Sequence, residues 1–395
     1  MIFVRDIKKF KHLLDIFPLK DRIKYCFAYG SAVFDQNLIS QNTLNPSENE
    51  EYQNYKFLDE KQLPIDESKT LKLREESNPK LMEENFVQNA KSKMIDLVLA
   101  VDNSLEFHRE NLAHNWSHYS SLKYFGPRTI AKIQQYFGAR IFYNTLIPVN
   151  GNYIKYGVIS RNDLVTDLLD WNTFYISGRL HKPTLTLQRD VNDNELLNAL
   201  KMNVQSAVHV ALLLLPERFN EKQLYSTIAG LSYSGDFRMT FGEDKQKVEK
   251  LVLPQINTFR QMYSPLLSSD LFKDIVSWTV RNDSGQFEQN CSVNAIQWHL
   301  CLLPKAIQHY LLLEWINANT SSPRQRIAAS RMDIDDLMQR LAGDITYREY
   351  LKSAIARIVF RSSATQSLKG LFTAGLAKST TYSLEKIQKM LKSMK

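Results

Sequence analysis

The chain has 395 residues, of which 44% are hydrophobic and 11% aromatic, and it carries a formal net charge of +8. This length predicts two or three domains with apolar cores, and no apolar run approaches the roughly 18–20 residues of a transmembrane helix. The three cysteines, Cys26, Cys291 and Cys301, are too scattered for a disulfide framework or a zinc site, which is typical of a reducing compartment.

The excess positive charge lies at the C-terminus, where residues 319–395 contain 14 Lys and Arg against 6 Asp and Glu. The rest of the chain is therefore close to neutral. A basic tail on a neutral body favours an anionic partner for the tail, either nucleic acid or an anionic membrane surface.

The chain begins with a basic stretch that has apolar residues at near-helical spacing. Residues 7–19 predict a helix, and we favour packing on the first domain over an organelle-targeting role because acidic residues interrupt the stretch. Residues 24–29 predict a strand that runs directly into Gly30 and Ser31. Residues 37–93 contain 11 acidic and 8 basic residues and few large apolar ones, so they predict a mobile insertion.

A second apolar strand, residues 94–101, carries Asp96 near its start. A strand that ends in Gly30 and Ser31, followed by a strand with an acid, is the minimal layout of a nucleotidyltransferase site. Glycine lets the backbone approach a triphosphate closely, and N–H groups at the start of a following helix hold phosphate oxygens. The aspartate would hold Mg²⁺, which prefers oxygen ligands.

The second ligand of such a metal site stays open in the sequence. Val98 stands where many nucleotidyltransferases have their second acid. Asp102 points to the same face of the strand as Asp96, but it lies about 20 Å further along. It is equally a candidate N-cap for the next helix.

The rest of the first half predicts alternating helices and strands of an α+β fold. In chain order these are helices at 104–119 and 128–137, a hairpin of 139–146 and 153–159 around Asn150-Gly151-Asn152, a helix at 161–169 and a strand at 184–187. The polar residues 190–194 predict the end of a first domain, 1–190.

The second half predicts mostly helices. Residues 191–318 favour a winged-helix-like domain, with helices at 195–215, 221–229 and 244–263 and a turn and strand within 231–241. Residues 319–395 form a basic C-terminal region. Its last helix, 382–394, has an apolar stripe opposite lysines, which is typical of a membrane-associating helix or of a partner-binding helix.

Three cations lie near predicted strand ends after the acidic strand: Lys155, Arg179 and Lys182. Cations at these places could neutralise a triphosphate or a lipid phosphate. The alternative is that they are solvated surface charges, and their spacing does not separate the two interpretations.

Several longer stretches resemble the mitochondrial CDP-diacylglycerol synthase (phosphatidate cytidylyltransferase) family, also called the mitochondrial translocator assembly and maintenance protein family. The similar stretches are AYGSAVF (28–34), IDLVLAVD (95–102), NWSHY (115–119), KYGV (155–158), GRLHKP (178–183), AGLSYSGDFRM (229–239), QSLKG (366–370) and TAG (373–375). The resemblance covers nearly the whole chain apart from 37–93.

The resemblance implies a nucleotidyltransferase-type mixed sheet with flanking helices, followed by a winged-helix domain and a membrane-associating C-terminal region. It implies a Mg²⁺-dependent enzyme that converts CTP and phosphatidic acid to CDP-diacylglycerol and pyrophosphate, supplying cardiolipin synthesis. It also implies a peripheral protein on the matrix side of the mitochondrial inner membrane, bound to the anionic surface through its C-terminal helix. No nucleic-acid partner is expected.

By the same resemblance, Gly30 and Ser31 hold the phosphates of CTP, and Asp96 is a catalytic metal ligand. Charge within the shared motifs adds Lys155, Tyr156 and Arg179 as nucleotide-binding residues, Lys182 and Asp236 as catalytic residues, and Asp102 as a candidate second metal ligand.

Two functions of other classes compete with this interpretation. One is a non-catalytic nucleotidyltransferase fold that binds RNA or DNA through the basic tail. Against it, the chain has no arginine-rich tract and no aromatic RNA-reading motif. The other is a structural factor of the import machinery without catalysis.

Overall fold

The computed structural model describes residues 10–34, 94–241, 247–280 and 285–374. Within these ranges a mixed sheet is built from β1 (Ile23–Tyr29), β2 (Ile95–Val101), β3 (Ile141–Val149), β4 (Asn152–Ser160) and β5 (Leu185–Arg189). The predicted insertion 37–93 and the predicted amphipathic helix 382–394 lie outside the described residues.

The strands lie in the order β3-β4-β2-β1-β5, with β2 and β4 parallel and the other neighbours antiparallel. The central strands β1 and β2 are buried on both faces, which explains their near-continuous apolar sequence. Asn150 and Gly151 both have positive φ angles, +47° and +76°, as a tight hairpin turn requires. The predicted hairpin of β3 and β4 is therefore confirmed.

Helices cover both faces of this sheet. The helices of this part are α1 (Ser104–His114), α2 (Gly126–Tyr136) and α3 (Arg161–Asp170). Phe107 of α1 packs on one face with Leu97 of β2, whereas Leu164 of α3 packs on the other with Val98. The mixed sheet with flanking helices confirms the predicted α+β class.

The rest of the described chain is mostly helical. Its elements are α4 (Asn194–Leu214), β6 (Arg218–Asn220), α5 (Glu221–Leu231), α6 (Phe237–Phe241), α7 (Lys247–Val252), α8 (Ile256–Leu267), β7 (Val276–Val280), β8 (Gln286–Gln289), α9 (Val293–Cys301), α10 (Lys305–Asn319), α11 (Pro323–Ser330), α12 (Ile334–Ala342) and α13 (Tyr347–Ala374). The strands form a small sheet in the order β6-β8-β7. Asn220 caps α5 as expected, because its side chain accepts the Gln223 N–H.

One apolar core joins the helical segments, since Val208, Tyr225, Phe259, Ile307 and Leu351 belong to the same buried cluster. This core includes residues on both sides of position 318, where the sequence predicts the last domain boundary. The winged-helix assignment and the boundaries at 190 and 318 stay predictions.

The long helix α13 also reaches back to the first sheet. Lys369 donates hydrogen bonds from Nζ to the carbonyl oxygens of Gln134, at 3.2 Å, and Phe137, at 2.7 Å, where α2 ends. Gln366 accepts a hydrogen bond from the Ala139 N–H at 2.9 Å. A cation is stabilised at a helix C-terminus, although burial lowers the pKa of Lys369 to about 7. α13 therefore fixes the turn that leads into β3.

The expectation of a continuous helix over 7–19 is wrong for the described residues from Phe10 onward. The chain there is helical only as far as Leu14, with Phe10 and Lys11 in α-helical conformation and a 3₁₀ helix at His12–Leu14. Phe17 precedes Pro18, and a proline disfavours helical backbone at the residue before it. The apolar side chains of this segment are nevertheless buried against the sheet, as the packing interpretation predicts.

The expected strand within 231–241 is also wrong, because the segment continues into the short helix α6. Gly235 has a φ of +76°, a backbone conformation that residues with a side chain rarely adopt. Asp236 then begins the helix, since its Oδ1 accepts the N–H of Arg238 at 2.9 Å and its carbonyl accepts that of Met239 at 2.9 Å. This turn places Asp236 and Arg238 side by side.

We expect the fold to lose stability in mild acid because four histidines are buried. Burial lowers the pKa of His108 and His299 to about 4, and of His181 and His209 to about 3. An unfolded histidine has a pKa of about 6.5, so the unfolded chain binds more protons below that pH. The free energy of unfolding should fall by about 2 kcal/mol per histidine between pH 7.5 and 5.

Urea unfolding at pH 7.5 and at pH 5.0 measures this loss. The variant His309→Gln, which removes an exposed histidine, should lose the same amount as the unaltered chain. Equal unfolding midpoints at the two pH values would contradict the burial of neutral imidazoles.

Candidate active site

The turn after β1 brings Gly30 against Asp96. The last residue of β1, Tyr29, is paired with Asp96 of β2, so the end of one strand meets the start of the other. Gly30 has φ +88°, and a Cβ atom on it would lie 3.3 Å from Asp96 Oδ2. The turn is closed by Gly30 O, which accepts the N–H groups of Val33 and Phe34, each at 3.1 Å. The predicted neighbours Gly30, Ser31 and Asp96 therefore do lie together.

Lys155 lies beside Asp96 on the adjacent parallel strand β4. The two residues are register partners, and Lys155 Nζ is 3.7 Å from Asp96 Oδ1. The same ammonium lies 4.5 Å from the centre of the Tyr143 ring, a cation–π distance. This placement puts one carboxylate and one cation next to the glycine turn.

A small cavity of about 30 Å³ lies between the loop after α3, the turn before α6 and α13, with Arg179, Lys182 and Asp236 among its lining residues. Lys182 Nζ donates a hydrogen bond to Ser232 Oγ at 2.6 Å and lies 4.7 Å from the centre of the Tyr233 ring. Such a volume has room for a few atoms of a ligand or for water.

Asp236 is buried and is held by one neighbour. Arg238 donates to both carboxylate oxygens, from Nε at 3.1 Å and from Nη2 at 2.7 Å. Burial raises the pKa of Asp236, but the hydrogen bonds and charge of Arg238 outweigh it, so the pKa lies below its usual value. The carboxylate therefore stays charged and orients the guanidinium of Arg238 at the cavity.

Arg179 connects the cavity to the glycine turn. Its Cζ lies 4.0 Å from the centre of the Tyr29 ring, next to Gly30, and its side chain also lines the cavity. Its Nε is buried and has no hydrogen-bond partner among the described residues. A buried donor without a partner costs free energy, and an anionic ligand would satisfy it.

The electrostatics of the site favour anions. Burial, together with Arg179, Lys247 and Arg238, lowers the pKa of Lys182 well below that of an ordinary lysine. Burial raises the pKa of the Tyr175 phenol, but Arg238, Lys155 and Arg179 outweigh it, so the pKa falls below its usual value. The cations that contribute to both pKa shifts form an accumulation of positive charge, which an incoming phosphate would offset.

The structure does not bring two of the predicted residues to this site. Asp102 lies at the other end of β2 from Asp96, with a side chain that is 47% exposed and 3.4 Å from Lys24 Nζ. The N-cap of α1 is Asn103, one residue later. Tyr156 points to the opposite face of the sheet from Lys155 and is fully buried in the core with Leu97.

Other residues of the site were not selected from the sequence. Ser232, Tyr233 and Arg238 line the cavity within three or four residues of Asp236, so their shared motif could have found them. Tyr175 stands in no motif, and the sequence carries no signal for it.

The variant Tyr156→Phe tests whether Tyr156 has a structural role. Its hydroxyl accepts a hydrogen bond from Asn111 Nδ2 at 2.9 Å and lies 3.0 Å from His118 Nδ1. Removing it leaves buried polar groups without a partner, which should lower the free energy of unfolding by about 1–3 kcal/mol. We expect an unchanged KM for the nucleotide substrate. A raised KM with an unchanged unfolding midpoint would restore the predicted nucleotide-binding role.

The donor set near the turn fits a metal ion that is shared with substrate phosphates. Within the described ranges, no group of three or more His, Cys, Asp or Glu side chains could hold a metal by itself. Mg²⁺ often binds through one or two carboxylates plus substrate phosphates, and Asp96 provides one carboxylate at the turn. Both oxygens of Asp236 accept hydrogen bonds from Arg238, whereas Asp96 has one cation 3.7 Å away, so Asp96 is the residue that would hold the metal.

Comparison with known proteins identifies the family. The family model for mitochondrial phosphatidate cytidylyltransferase matches residues 10–389. The mitochondrial phosphatidate cytidylyltransferase of Xenopus laevis is 41% identical over 308 residues, covering 78% of this chain and 86% of that protein. The Mus musculus protein is 43% identical over 300 residues (76% and 84%), and the Caenorhabditis briggsae protein 34% over 385 residues (98% and 99%).

The resemblance seen in the motifs is confirmed by these matches, which extend over most of the chain and include the glycine turn, the strand with Asp96 and the Asp236 turn. The chain therefore belongs to the mitochondrial phosphatidate cytidylyltransferase family of nucleotidyltransferase-type enzymes.

Proposed function

We propose that this chain transfers a cytidylyl group from CTP to phosphatidic acid and so produces CDP-diacylglycerol and pyrophosphate. The observation that carries the proposal is the row of cations that leads from the glycine turn into the cavity: Lys155, Arg179, Lys182 and Arg238. Both substrates bear phosphates, and their reacting groups must meet despite their negative charges. Cations arranged in advance in a partly buried site lower the cost of that encounter.

The chain's residues divide this work between the two substrates. The backbone at Gly30 allows a triphosphate to approach closely, and Lys155 lies where it can neutralise phosphate oxygens. Arg179, between turn and cavity, is placed to contact phosphates of both substrates. This arrangement orients the phosphate of phosphatidic acid for in-line attack on the α-phosphorus of CTP, with pyrophosphate leaving on the opposite side.

The attacking phosphate needs little help from a general base. The second pKa of a phosphate monoester is about 6, so near neutral pH the nucleophile is already mostly dianionic. A site with fewer carboxylates than a polymerase is therefore sufficient. Asp96 would hold Mg²⁺, which when bound neutralises charge that develops on the triphosphate.

The location proposed for this reaction is the matrix side of the mitochondrial inner membrane, where the product would supply cardiolipin synthesis. The relatives are named mitochondrial proteins. None of the helices in the described part of the chain is long and apolar enough to span a bilayer. The predicted amphipathic helix 382–394 would attach the chain to the anionic surface.

Release of pyrophosphate from CTP and phosphatidic acid tests the proposed function. The assay is run with each of the four nucleotides, with and without phosphatidic acid and Mg²⁺. We expect product only when CTP, phosphatidic acid and Mg²⁺ are all present. Absence of product from the folded chain would favour a non-catalytic role.

A further inference from the structure

The segment between α1 and α2 carries three exposed large aromatic side chains. Trp116, Tyr124 and Phe125 are 46%, 75% and 68% exposed. Contiguous apolar surface on a folded protein commonly marks a site of interaction with a protein or a membrane. We call Trp116, Lys123, Tyr124 and Phe125 the aromatic loop.

Three residues of the aromatic loop, Trp116, Lys123 and Tyr124, contact one another. The rings of Trp116 and Tyr124 lie 5.7 Å apart, edge to face. Lys123 Nζ is 5.1 Å from the centre of the Trp116 ring and 5.6 Å from that of Tyr124. These three side chains thus form one surface, and Phe125 follows Tyr124 directly in the chain.

The backbone of this loop is held firmly by hydrogen bonds. Asn115 Nδ2 donates to the carbonyl of Ile16 at 2.8 Å, which ties the loop to the N-terminal segment. Thr129 Oγ1 donates to the carbonyl of Phe125 at 2.9 Å. These hydrogen bonds hold the backbone on both sides of the loop, and the aromatic rings remain exposed to solvent.

The charged residues in the segment that carries the aromatic loop are all basic. Residues 111–132 contain three Lys and Arg, at positions 123, 128 and 132, and no Asp or Glu. Tryptophan and tyrosine favour the headgroup level of a bilayer, and each nearby cation adds attraction to anionic lipids. Aromatic rings among cations without acids are therefore complementary to an anionic membrane surface.

We propose that the aromatic loop inserts into the headgroup layer of an anionic phospholipid bilayer and forms a contact separate from the C-terminal helix. This rests on the proposed function, because it is the lipid substrate that brings the enzyme to a bilayer. Single-stranded nucleic acid also stacks on aromatic rings. Here the Lys123 ammonium already lies over the rings of Trp116 and Tyr124, where a base would stack. We therefore favour lipid as the partner.

The loop is also joined to the active site through the sheet. His118, two residues after Trp116, lies 3.0 Å from the Tyr156 hydroxyl, and Tyr156 follows Lys155 on β4. The aromatic loop is thus attached to the segment of β4 that carries Lys155. This contact reaches β4 from the face opposite to Lys155, and a membrane bound at the loop would raise the concentration of the lipid substrate around the enzyme.

The test uses the full chain with the triple variant Trp116→Ser, Tyr124→Ser and Phe125→Ser. On vesicles of phosphatidylcholine with anionic cardiolipin and phosphatidic acid, we expect KM for phosphatidic acid to rise about ten-fold. With short-chain phosphatidic acid dissolved below its micelle concentration, kcat/KM should be unchanged. The control Ile345→Ser removes a hydrophobic side chain that is 92% exposed outside the loop, and it should leave both assays unchanged.

The soluble assay separates the two proposals. If the unaltered chain is active on the dissolved lipid and the triple variant loses no activity on vesicles, the membrane contact is overturned. The proposed function then still stands. No activity on either substrate by the unaltered chain would overturn the proposed function. If the triple variant instead lost binding to single-stranded RNA and kept its vesicle affinity, the lipid assignment would be wrong.

Fluorescence supplies a second readout that is independent of activity. Trp116 is one of five tryptophans. Brominated lipids in the vesicles should quench up to about a fifth of the emission of the unaltered chain, and this quenching should disappear in Trp116→Phe. Equal quenching in the two proteins would show that Trp116 stays outside the lipid.

Discussion

Replacement of Asp96 by asparagine should lower kcat about a thousand-fold, with an unfolding midpoint close to that of the unaltered chain. Asparagine keeps the size of the side chain next to Gly30 but removes the charge, and we propose that this charge holds the metal ion that neutralises the triphosphate. The measurement is pyrophosphate release at saturating CTP and phosphatidic acid, over a range of Mg²⁺ concentrations.

The matched control is Asp102→Asn on the same strand. Asp102 is half exposed and pairs with Lys24 at the surface, and such pairs contribute at most about 1 kcal/mol to stability. We therefore expect nearly full activity. A similar loss in both variants would show that Asp102 acts at the metal after all, and full activity of Asp96→Asn would remove the proposed metal site.

Replacement of Lys182 by methionine should lower kcat/KM for phosphatidic acid about a hundred-fold without destabilising the fold. Lys182 is a buried cation near Arg179 and Arg238, and its pKa is strongly lowered. Methionine fills similar space without charge. The loss of kcat/KM would therefore reflect weaker attraction for phosphate. An unfolding midpoint equal to or above that of the unaltered chain would exclude loss of folding as the cause.

The pH profile gives this prediction its sign. A phosphate bound at Lys182 favours the ammonium, so binding takes up a proton whenever the free enzyme holds the neutral amine. As the pH rises above the lowered pKa of Lys182, kcat/KM should fall by up to about ten-fold per pH unit. Lys182→Met should lack this fall in the alkaline range.

Two comparisons complete the experiment. Lys201→Met removes an exposed lysine of α4 and should keep both the rate and the pH profile. Lys182→Arg retains a charge that does not titrate in this range, so it should recover part of the activity with a flat alkaline limb. An alkaline fall that persists in Lys182→Met would assign the titration to another group.

The sequence predicted the glycine turn and Asp96 because both depend on local order in the chain. A strand that ends at Gly30 and a strand that begins near Asp96 are visible as apolar runs, and antiparallel pairing of the two brings their residues together. The same local reasoning found the hairpin around Gly151 and the cap at Asn220.

The sequence could not predict on which face of the sheet a residue lies. Lys155 and Tyr156 are neighbours in one motif, yet alternation along β4 sends the lysine to the site and the tyrosine into the core. The cavity around Lys182 and Asp236 combines residues more than fifty positions apart in the chain with α13. Only tertiary packing shows that Tyr175 lies there.

The position of α13 has a consequence for how the enzyme is made. Its Ser363 Oγ accepts the Phe237 N–H at 3.0 Å beside the cavity, and its Gln366 and Lys369 hold the turn before β3. These contacts join residues 363–369 to parts of the chain that lie more than a hundred positions earlier in the sequence. The two parts of the site can be joined only after α13 has been synthesised, so chains that stop before α13 would remain without activity.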